Sequence, residues 1–412
     1  MNASAPSSPF VALTHRNFRL LWTGQLVSMA GSTMQTAALL WHVSTLVAPS
    51  QRGLALGAVG LVRVIPIVVF SLVGGVVADA LDRRRLMLVT QTGMALTASV
   101  LAWVAFTHVP AVWPVYVLAA TSSAFGAFDN PARQSLVPNL VPPEHLPNAI
   151  SLNTIMFQLA SVLGPSIGGV TIGTLGVGWA YALNAVSFLC VIGALLAMHG
   201  VPTRVAGTQS EVSLSAAVEG LKFVFQAPLI RSTMLLDFFA TLFASATALL
   251  PIYAQDVLHV GAQGYGLLTA APSVGAMAAS VVMVRAVEWI GRRGQAMLWA
   301  VAAYGLTTIA FGLSTSFLLT FVCLALSGVA DTVSMVIRNL VRQLTTPDHL
   351  RGRMTSVSMI FFMGGPQLGE LEAGVVASLW GPVVSVVSGG LGCLAAVAWV
   401  AARTPELRRY HR

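Results

Sequence analysis

The stretch GGVVADALDRRRLML, residues 74–88, decides how the rest of the chain is interpreted. Charged residues make up 9% of the 412 residues, yet five of them lie between Asp79 and Arg85, directly after an apolar run. An ordinary soluble domain carries about 25% charged residues. With 56% hydrophobic residues and so few charges, the chain cannot cover a water-soluble body of this size, so we predict a membrane protein.

The apolar segments indicate the number of helices, because a transmembrane helix needs about 20 mostly apolar residues. Twelve such segments lie near residues 18–46, 53–79, 85–107, 112–138, 147–174, 177–199, 229–256, 264–287, 293–314, 316–340, 351–378 and 380–402. The longest break follows the sixth and contains a weakly amphipathic stretch from Ser213 to Phe225, which we expect at the membrane surface. We predict an all-α membrane protein with a six-helix bundle at residues 1–199, a cytoplasmic linker at 200–228 and a second six-helix bundle at 229–412.

The positions of Arg and Lys predict the orientation. If the N-terminus is cytoplasmic, only Arg52 of the 22 Arg and Lys residues lies outside, and Arg63 lies within a span. The first apolar segment is too long for a signal peptide, so it should stay in the membrane. We therefore expect a multi-pass protein with both termini in the cytoplasm.

The composition also argues against several classes of function. The net charge of +8 comes from short basic groups between apolar runs, not from one patch, so we expect no nucleic-acid partner. The three cysteines and eight histidines are scattered, so we expect no metal site and no cofactor. No Walker loop and no clustered nucleophile is found, which makes a membrane-embedded enzyme or sensor a remote alternative.

The two halves of the chain repeat each other. PPEHL at 142–146 returns as TPDHL at 346–350, and GPSIGG at 164–169 returns as GPQLGE at 365–370, both at offsets of roughly 200 residues. Two six-span bundles related by duplication are one plan of a secondary transporter, which carries its substrate site at the interface between the repeats.

The opening stretch lies between the second and third spans and resembles the signature loop of the major facilitator superfamily. Gly75, Asp79 and residues 83–84 match the pattern G-x-x-x-D-R/K-x-G-R/K-R/K. Ala80 stands where a basic residue is usual, and Asp82 stands where glycine is usual.

The resemblance implies a conformational lock at the inner face, formed by Gly75, Asp79, Asp82, Arg83 and Arg84. A carboxylate at Asp79 can face the positive end of a neighbouring helix, with Arg83 holding it in place. The second half carries a degenerate copy with Glu288 and Arg292. The alternative is that these arginines serve only as signals of membrane topology.

The resemblance covers nearly the whole chain. The stretches NFRLLWTGQLVSMAG, FDNPARQSLVPNLVPPEHLPNAISLN and PDHLRGRMTSV are similar to the branch that includes the enterobactin exporter and macrolide efflux pumps. This implies a monomeric exporter in the lipid bilayer of the bacterial inner membrane. Its substrate would be a hydrophobic or amphiphilic small molecule such as a drug, siderophore or secondary metabolite, exchanged for protons. Uptake of a solute and flipping of a lysophospholipid remain alternatives.

The fifth span carries a stretch, ASVLGPSIGG, that resembles the antiporter motif of the superfamily through Gly164, Pro165, Gly168 and Gly169. Ala160 replaces the first glycine of that motif. In the family the motif is associated with export. The alternative is general small-residue packing, which lets helices approach closely.

Ionisable residues inside spans are costly, so each is a functional candidate. Ser122 stands where proton-coupled drug exporters commonly have Arg, so any proton carrier must be an acid within the spans. We prefer Asp331 and Glu370 for this role, with Glu370 favoured over Glu372 because it follows the repeated glycine motif. The full set of candidates for coupling or for lining the cavity is Arg63, Asp129, Arg133, Asp237, Asp331, Glu370, Gln35, Asn153 and Gln158. A packed ion pair or a snorkelling residue at a helix end is the alternative for each charged member.

Overall fold

A computed structural model describes residues 10–80, 82–200, 227–346 and 351–410, and describes the backbone alone at 71–80, 246 and 351–363. The predicted amphipathic stretch from Ser213 to Phe225 and most of the TPDHL repeat lie outside the described residues. The described residues are almost entirely helical and contain no strand.

Twelve long helices follow one another along the described chain. They are α1 (Arg16–Leu46), α2 (Arg52–Ala80), α3 (Arg83–Phe106), α4 (Trp113–Leu136), α5 (Leu146–Leu175), α6 (Val177–Ala197), α7 (Pro228–Ala244), α8 (Gly261–Trp289), α9 (Arg293–Leu313), α10 (Phe317–Thr345), α11 (Arg351–Trp380) and α12 (Pro382–Arg403). Most of their bounds lie within a few residues of the apolar segments predicted from the sequence, which confirms the all-α membrane class.

Nine of the helices described are long and apolar enough to cross a membrane, whereas α1, α4 and α11 are not among them. Helix α4 carries Asp129 and Arg133, and α11 carries Glu370 and Glu372, which lowers their mean hydropathy. Large apolar side chains lie on the surface elsewhere, as Trp299 on α9 shows with 76% exposure. Lipid is the solvent that suits such a surface. The full twelve-span, two-bundle layout remains a prediction.

Helix α7 ends earlier than the sequence indicated. The predicted span at 229–256 is interrupted at Ser245, which leaves the helical conformation with ψ at 56°. The chain continues through short helical turns and ends in a π-helical turn at Tyr253–Val257. Pro251 lies in this segment and cannot donate a backbone hydrogen bond, which favours an irregular helix. The Tyr253 hydroxyl fixes this turn by donating to the Gly312 carbonyl of α9 at 3.0 Å.

The chain divides into two compact units. Unit 1 comprises Met1–Ala38 and Ile65–Ser210, and unit 2 comprises Leu39–Val64 and Glu211–Arg412. Unit 2 therefore includes the last turns of α1 and the first half of α2 together with α7 to α12.

The same helix pairs pack in each unit. In unit 1, α3 packs against α4 and α6, and α5 packs against α6. In unit 2, α9 packs against α10 and α12, and α11 packs against α12. Six positions separate each helix from its counterpart, so the packing follows the internal repeat seen in the sequence.

Candidate functional site

Gly75 and Asp79 of the predicted lock lie in the last turns of α2, where only the backbone is described. Asp82 is the N-cap of α3, and its Oδ1 accepts from the Arg85 amide at 3.0 Å. An aspartate at this position accepts a hydrogen bond from one of the unpaired amides of the first turn. It also places a negative charge at the positive end of the helix dipole, which is favourable. Asp82 therefore starts α3, which places the following arginines.

Those arginines bind the ends of two other helices. Arg83 donates from Nη1 to the Ser135 carbonyl in the last turn of α4 at 2.6 Å. Arg84 donates from Nε to the Leu195 carbonyl at 2.7 Å and from Nη2 to the Leu196 carbonyl at 3.2 Å, both near the end of α6. Cations at helix C-termini are favourable because the last carbonyls lack intrahelical partners. The basic part of the predicted lock thus ties α3 to α4 and α6 within unit 1.

The copy of this loop in the second half is built differently. Glu288 lies in the last turn of α8, and Arg292 is an exposed residue directly before α9. The next residue, Arg293, is buried, and the Gly294 amide donates to the Tyr410 carbonyl at 3.3 Å. The C-terminal segment therefore occupies the start of α9.

The predicted antiporter motif packs α5 directly on α1. A side chain at Gly164 would overlap Thr33 Oγ1, and one at Gly168 would come within 3.0 Å of Met34. The Thr33 hydroxyl donates to the Ala160 carbonyl at 2.8 Å. Helix α5 stays continuous through Pro165. Pro165 and Gly169 are buried in the same helix turns. The glycines allow backbone contact between these two helices, as small residues do in membranes.

The same contact recurs between α11 and α7 in unit 2. A side chain at Gly365 would overlap Thr241 Oγ1, and one at Gly369 would overlap the Leu242 carbonyl. The repeated sequence motif therefore produces the same kind of glycine–threonine contact in both halves of the chain.

Asp129 on α4 is held by hydrogen bonds to α3. Thr90 Oγ1 donates to its Oδ1 at 3.0 Å, and Gln91 Nε2 donates to the same oxygen at 2.9 Å. Arg133 Nε lies 3.9 Å from Asp129 Oδ2, one helical turn away. Asp129 is 5% exposed, so this network satisfies a buried carboxylate. The arrangement supports the packed-pair alternative for Asp129 and Arg133.

A small cavity in unit 2, which we call the charged cavity, brings two acids together. Its polar lining consists of Asp237 from α7, Tyr304 from α9, and Asp331 and Ser334 from α10. Asp237 forms an ion pair with Arg338, and both side chains are at most 10% exposed. Ala240, Val301 and Ala330 complete the lining.

Glu370 on α11 lies against the first half of α2. A side chain at Gly60 would come within 2.8 Å of Glu370 Oε2, and this oxygen is buried without a hydrogen bond among the described residues. Arg63, one turn further along α2, lies within electrostatic range of the carboxylate.

Glycines join the same two helices, and we call Gly53, Gly57, Gly60 and Gly374 the glycine seam. A side chain at Gly374 of α11 would come within 2.5 Å of the Gly53 carbonyl and 2.7 Å of Gly57 Cα on α2. One at Gly57 would come within 3.0 Å of the Glu370 carbonyl. The backbones of α2 and α11 are therefore in direct contact beside Glu370.

The polar residues predicted to line a transport path do not all lie in the same environment. Gln35 on α1 accepts from Asn184 Nδ2 of α6 at 2.8 Å and is buried in unit 1. Ser187 donates to Asn184 Oδ1 at 2.9 Å and extends this network. Asn153 and Gln158 are half-buried on α5. Gln35 thus acts in helix packing, while Asn153 and Gln158 keep access to the surface of unit 1.

Two charged contacts in unit 2 were not predicted from the sequence. Arg338 was counted only as a topology signal, although it is the partner of Asp237. Arg52 Nη1 donates to both carboxylate oxygens of Asp256 in the π-helical turn, at 3.0 and 2.9 Å. Beside this pair, Gln255 Nε2 donates to Ser44 Oγ at 2.8 Å. The lone arginine on its side of the predicted topology was the signal that could have indicated a specific role for Arg52.

Comparison with known proteins shows the family of the chain and several of its relatives. The profile of a family described as transmembrane secretion effector matches residues 7–410. The enterobactin exporter EntS of Escherichia coli O1:K1 is 26% identical over 400 residues, which cover 97% of this chain and 94% of the relative. The enterobactin exporter EntS of Citrobacter koseri gives the same figures.

Solved transporter structures share the fold. A bacterial homologue of the iron transporter ferroportin, in the inward-facing state, aligns with a TM-score of 0.70 at 18% identity and covers 96% of this chain and 99% of its own. A transporter of the POT family in complex with 5-aminolevulinic acid aligns with a TM-score of 0.74 at 12% identity, over 96% of this chain and 97% of its own. At these identities the likeness concerns the fold alone.

Proposed function

We propose that this chain, which belongs to the transmembrane secretion effector family of the major facilitator superfamily, exports a hydrophobic or amphiphilic small molecule. The observation that carries the proposal is the similarity to an enterobactin exporter over 97% of the chain. A drug, a siderophore or a secondary metabolite fits this substrate class. The antiporter motif at Gly164 to Gly169 supports the outward direction.

The proposed source of energy is the proton gradient, which proton antiport couples to export. The described part of unit 2 contains Asp331 in the charged cavity and Glu370 beside the glycine seam. A buried carboxylate is costly when it is ionised without a partner, and a proton removes that cost. Both acids are therefore suited to bind a proton in one arrangement of the helices and to release it in another.

The loop from Gly75 to Arg84 is the proposed conformational lock. Arg83 and Arg84 tie the start of α3 to the ends of α4 and α6, which supports this proposal. We assign Asp79 the contact that forms in one state of the transport cycle and breaks in the other. Glu288 and Arg292 are assigned a weaker version of the same role in the second half.

The proposed location is the cytoplasmic membrane of a bacterium, with both termini in the cytoplasm and the chain acting as a monomer. The Arg and Lys distribution supports this orientation. It places the lock loop on the inner side and the Arg52–Asp256 pair on the outer side.

The test is accumulation of candidate compounds in bacterial cells with and without the chain. The compounds are enterobactin and a set of amphiphilic dyes and drugs. Export predicts lower intracellular accumulation of at least one compound in expressing cells, and dependence of that difference on the proton gradient. Higher accumulation in expressing cells would indicate uptake. Transfer of a labelled lysophospholipid between membrane leaflets, with no effect on the soluble compounds, would indicate flipping.

A further inference from the structure

The charged cavity has a composition that the proposed export does not by itself explain. Asp237 and Asp331 come from different helices, and the pairing of Asp237 with Arg338 leaves Asp331 without an ion pair or hydrogen bond among the described residues. Burying an ionised carboxylate without a partner is costly. Asp331 is half-buried and faces the cavity, so a positively charged ligand or a proton would stabilise it there.

The surrounding charges decide between these two ligands. Arg338 lies within electrostatic range of Asp331, and Arg342 lies within range of Asp237. Arg342 also donates to Asn339 Oδ1 at 3.0 Å, which holds it on α10. Two arginines beside two carboxylates oppose the entry of a metal cation. A proton adds one charge without the need for a shell of oxygen ligands.

Helix geometry shows how Arg338 can serve both acids. Asp331 and Arg338 are seven residues apart, so they lie on the same face of α10, about 10 Å apart along its axis. Long side chains on a helix lean toward its N-terminus, which is the direction from Arg338 to Asp331. Asp237 on α7 now holds the guanidinium by its ion pair.

The remaining groups around the cavity are neutral. Tyr304 lines it from α9, and its hydroxyl donates to the Ala244 carbonyl at the end of α7 at 3.4 Å. Cys393 of α12 lies within electrostatic range of Tyr304 and donates to the Val301 carbonyl at 3.6 Å. Ser334 hydroxyl completes the polar lining. These neutral groups leave the two acids and the arginines to set the charge.

We propose that Asp331 is a single-proton site and that Arg338, positioned by Asp237, is the cation that replaces its proton. With Asp331 protonated, Arg338 pairs with Asp237, as it does in this structure. When Asp331 releases its proton to water, the guanidinium shifts toward the new carboxylate and is shared by both acids. The inference rests on the proposed antiport and deepens it, because it describes how Asp331, one of the two candidate acids, binds and releases its proton, and it gives Asp237 and Arg338 positioning roles.

The test measures protonation directly and needs no transport substrate. Infrared difference spectra of the purified full-length protein, recorded across a pH titration, report the carbonyl stretch of protonated carboxyl groups. Asp331→Asn should remove one titrating carboxyl signal. An unchanged spectrum in Asp331→Asn would overturn the proposal. The proton site can thus be refuted while export stands, and export can fail while the proton site stands.

Two variants of the partner residues should move the pH at which Asp331 loses its proton in opposite directions. Asp237→Asn frees Arg338 for Asp331 and removes a like charge, so Asp331 should lose its proton at a pH lower by about one unit, a tenfold change. The double variant Asp237→Asn/Arg338→Gln removes the cation as well, so Asp331 should keep its proton to higher pH. Removing both partners avoids a buried unpaired charge, so this variant should fold.

The controls separate this network from general effects on unit 2. Arg338→Lys keeps the positive charge, so Asp331 should lose its proton at nearly the same pH as in the wild-type protein. Glu372→Gln removes a half-buried acid, with a buried Oε2, outside the charged cavity, and should leave the Asp331 signal in place. Shifts of equal sign in Asp237→Asn and the double variant, or no shift in either, would overturn the role of Arg338.

Discussion

The glycine seam gives a prediction whose size follows from the structure. A Cβ atom at Gly374 would lie 2.5 Å from the Gly53 carbonyl oxygen, whereas ordinary contacts begin near 3.4 Å. Helices α2 and α11 would have to part by roughly 0.9 Å, and both opposing atoms belong to the backbone and cannot rotate away. Overpacking of this kind costs about 1–3 kcal/mol. We therefore expect Gly374→Ala to destabilise the closed seam by this amount.

In a transporter that alternates between two arrangements, the cost falls only on the one in which the seam is closed. A free-energy difference of about 1–3 kcal/mol changes the ratio of two states by about 5- to 150-fold. The assay places a thiol at Ala377, which is 8% exposed beside Gly53, after the native cysteines have been replaced. Its labelling by a water-soluble maleimide in membrane vesicles reports opening. Gly374→Ala should accelerate labelling by a factor in that range.

Gly364 provides a matched control on the same helix. A side chain there meets no atom within 4 Å, so Gly364→Ala should leave the labelling rate unchanged. It should also raise the thermal stability slightly, because alanine favours helix over glycine by about 0.5–1 kcal/mol. Equal labelling rates in Gly374→Ala, Gly364→Ala and the parent would refute the argument that α2 and α11 form a closing contact.

Two further predictions concern the loop ends. Asp79→Asn should lower the transport rate strongly while membrane insertion stays intact, and Glu288→Gln should lower the rate less. The measurement is the transport rate of both variants at matched expression. An equal or greater loss in Glu288→Gln would show that the two loops were ranked wrongly. Arg84→Gln should lower the unfolding free energy by about 1–2 kcal/mol through the loss of two hydrogen bonds to the end of α6. Arg85→Gln, at an exposed neighbour, is the control; equal melting temperatures for these two variants would contradict the capping role.

The sequence predicted the helices well because their signal is local. The ninth predicted span, 293–314, is α9 at Arg293–Leu313. The glycines at 164–169 also predicted a close helix contact, because small residues in membrane helices let two backbones approach each other. The early end of α7 was missed, since membrane helices often accommodate a proline such as Pro251 without ending.

Pairing between helices was much harder to predict. The contact of Asp237 with Arg338 depends on how α7 and α10 are rotated about their axes, and no local pattern records that rotation. Arg338 also lies near a helix end, where arginines are common topology signals. Glu370 was preferred for its place after a glycine motif, but its position against Gly60 became visible only with the packing of α2 on α11.

The central claim is that the chain uses a proton gradient to move its substrate outward. Its most direct test is transport of an identified compound by the purified chain in proteoliposomes, with and without an imposed pH gradient. The wild-type protein should concentrate the compound against its gradient only when the pH gradient is present. Asp331→Asn or Glu370→Gln should abolish this accumulation yet still exchange the compound down its gradient. If both variants still concentrate the compound, these acids do not carry the coupling proton; if the wild-type protein concentrates it without a pH gradient, proton antiport itself is contradicted.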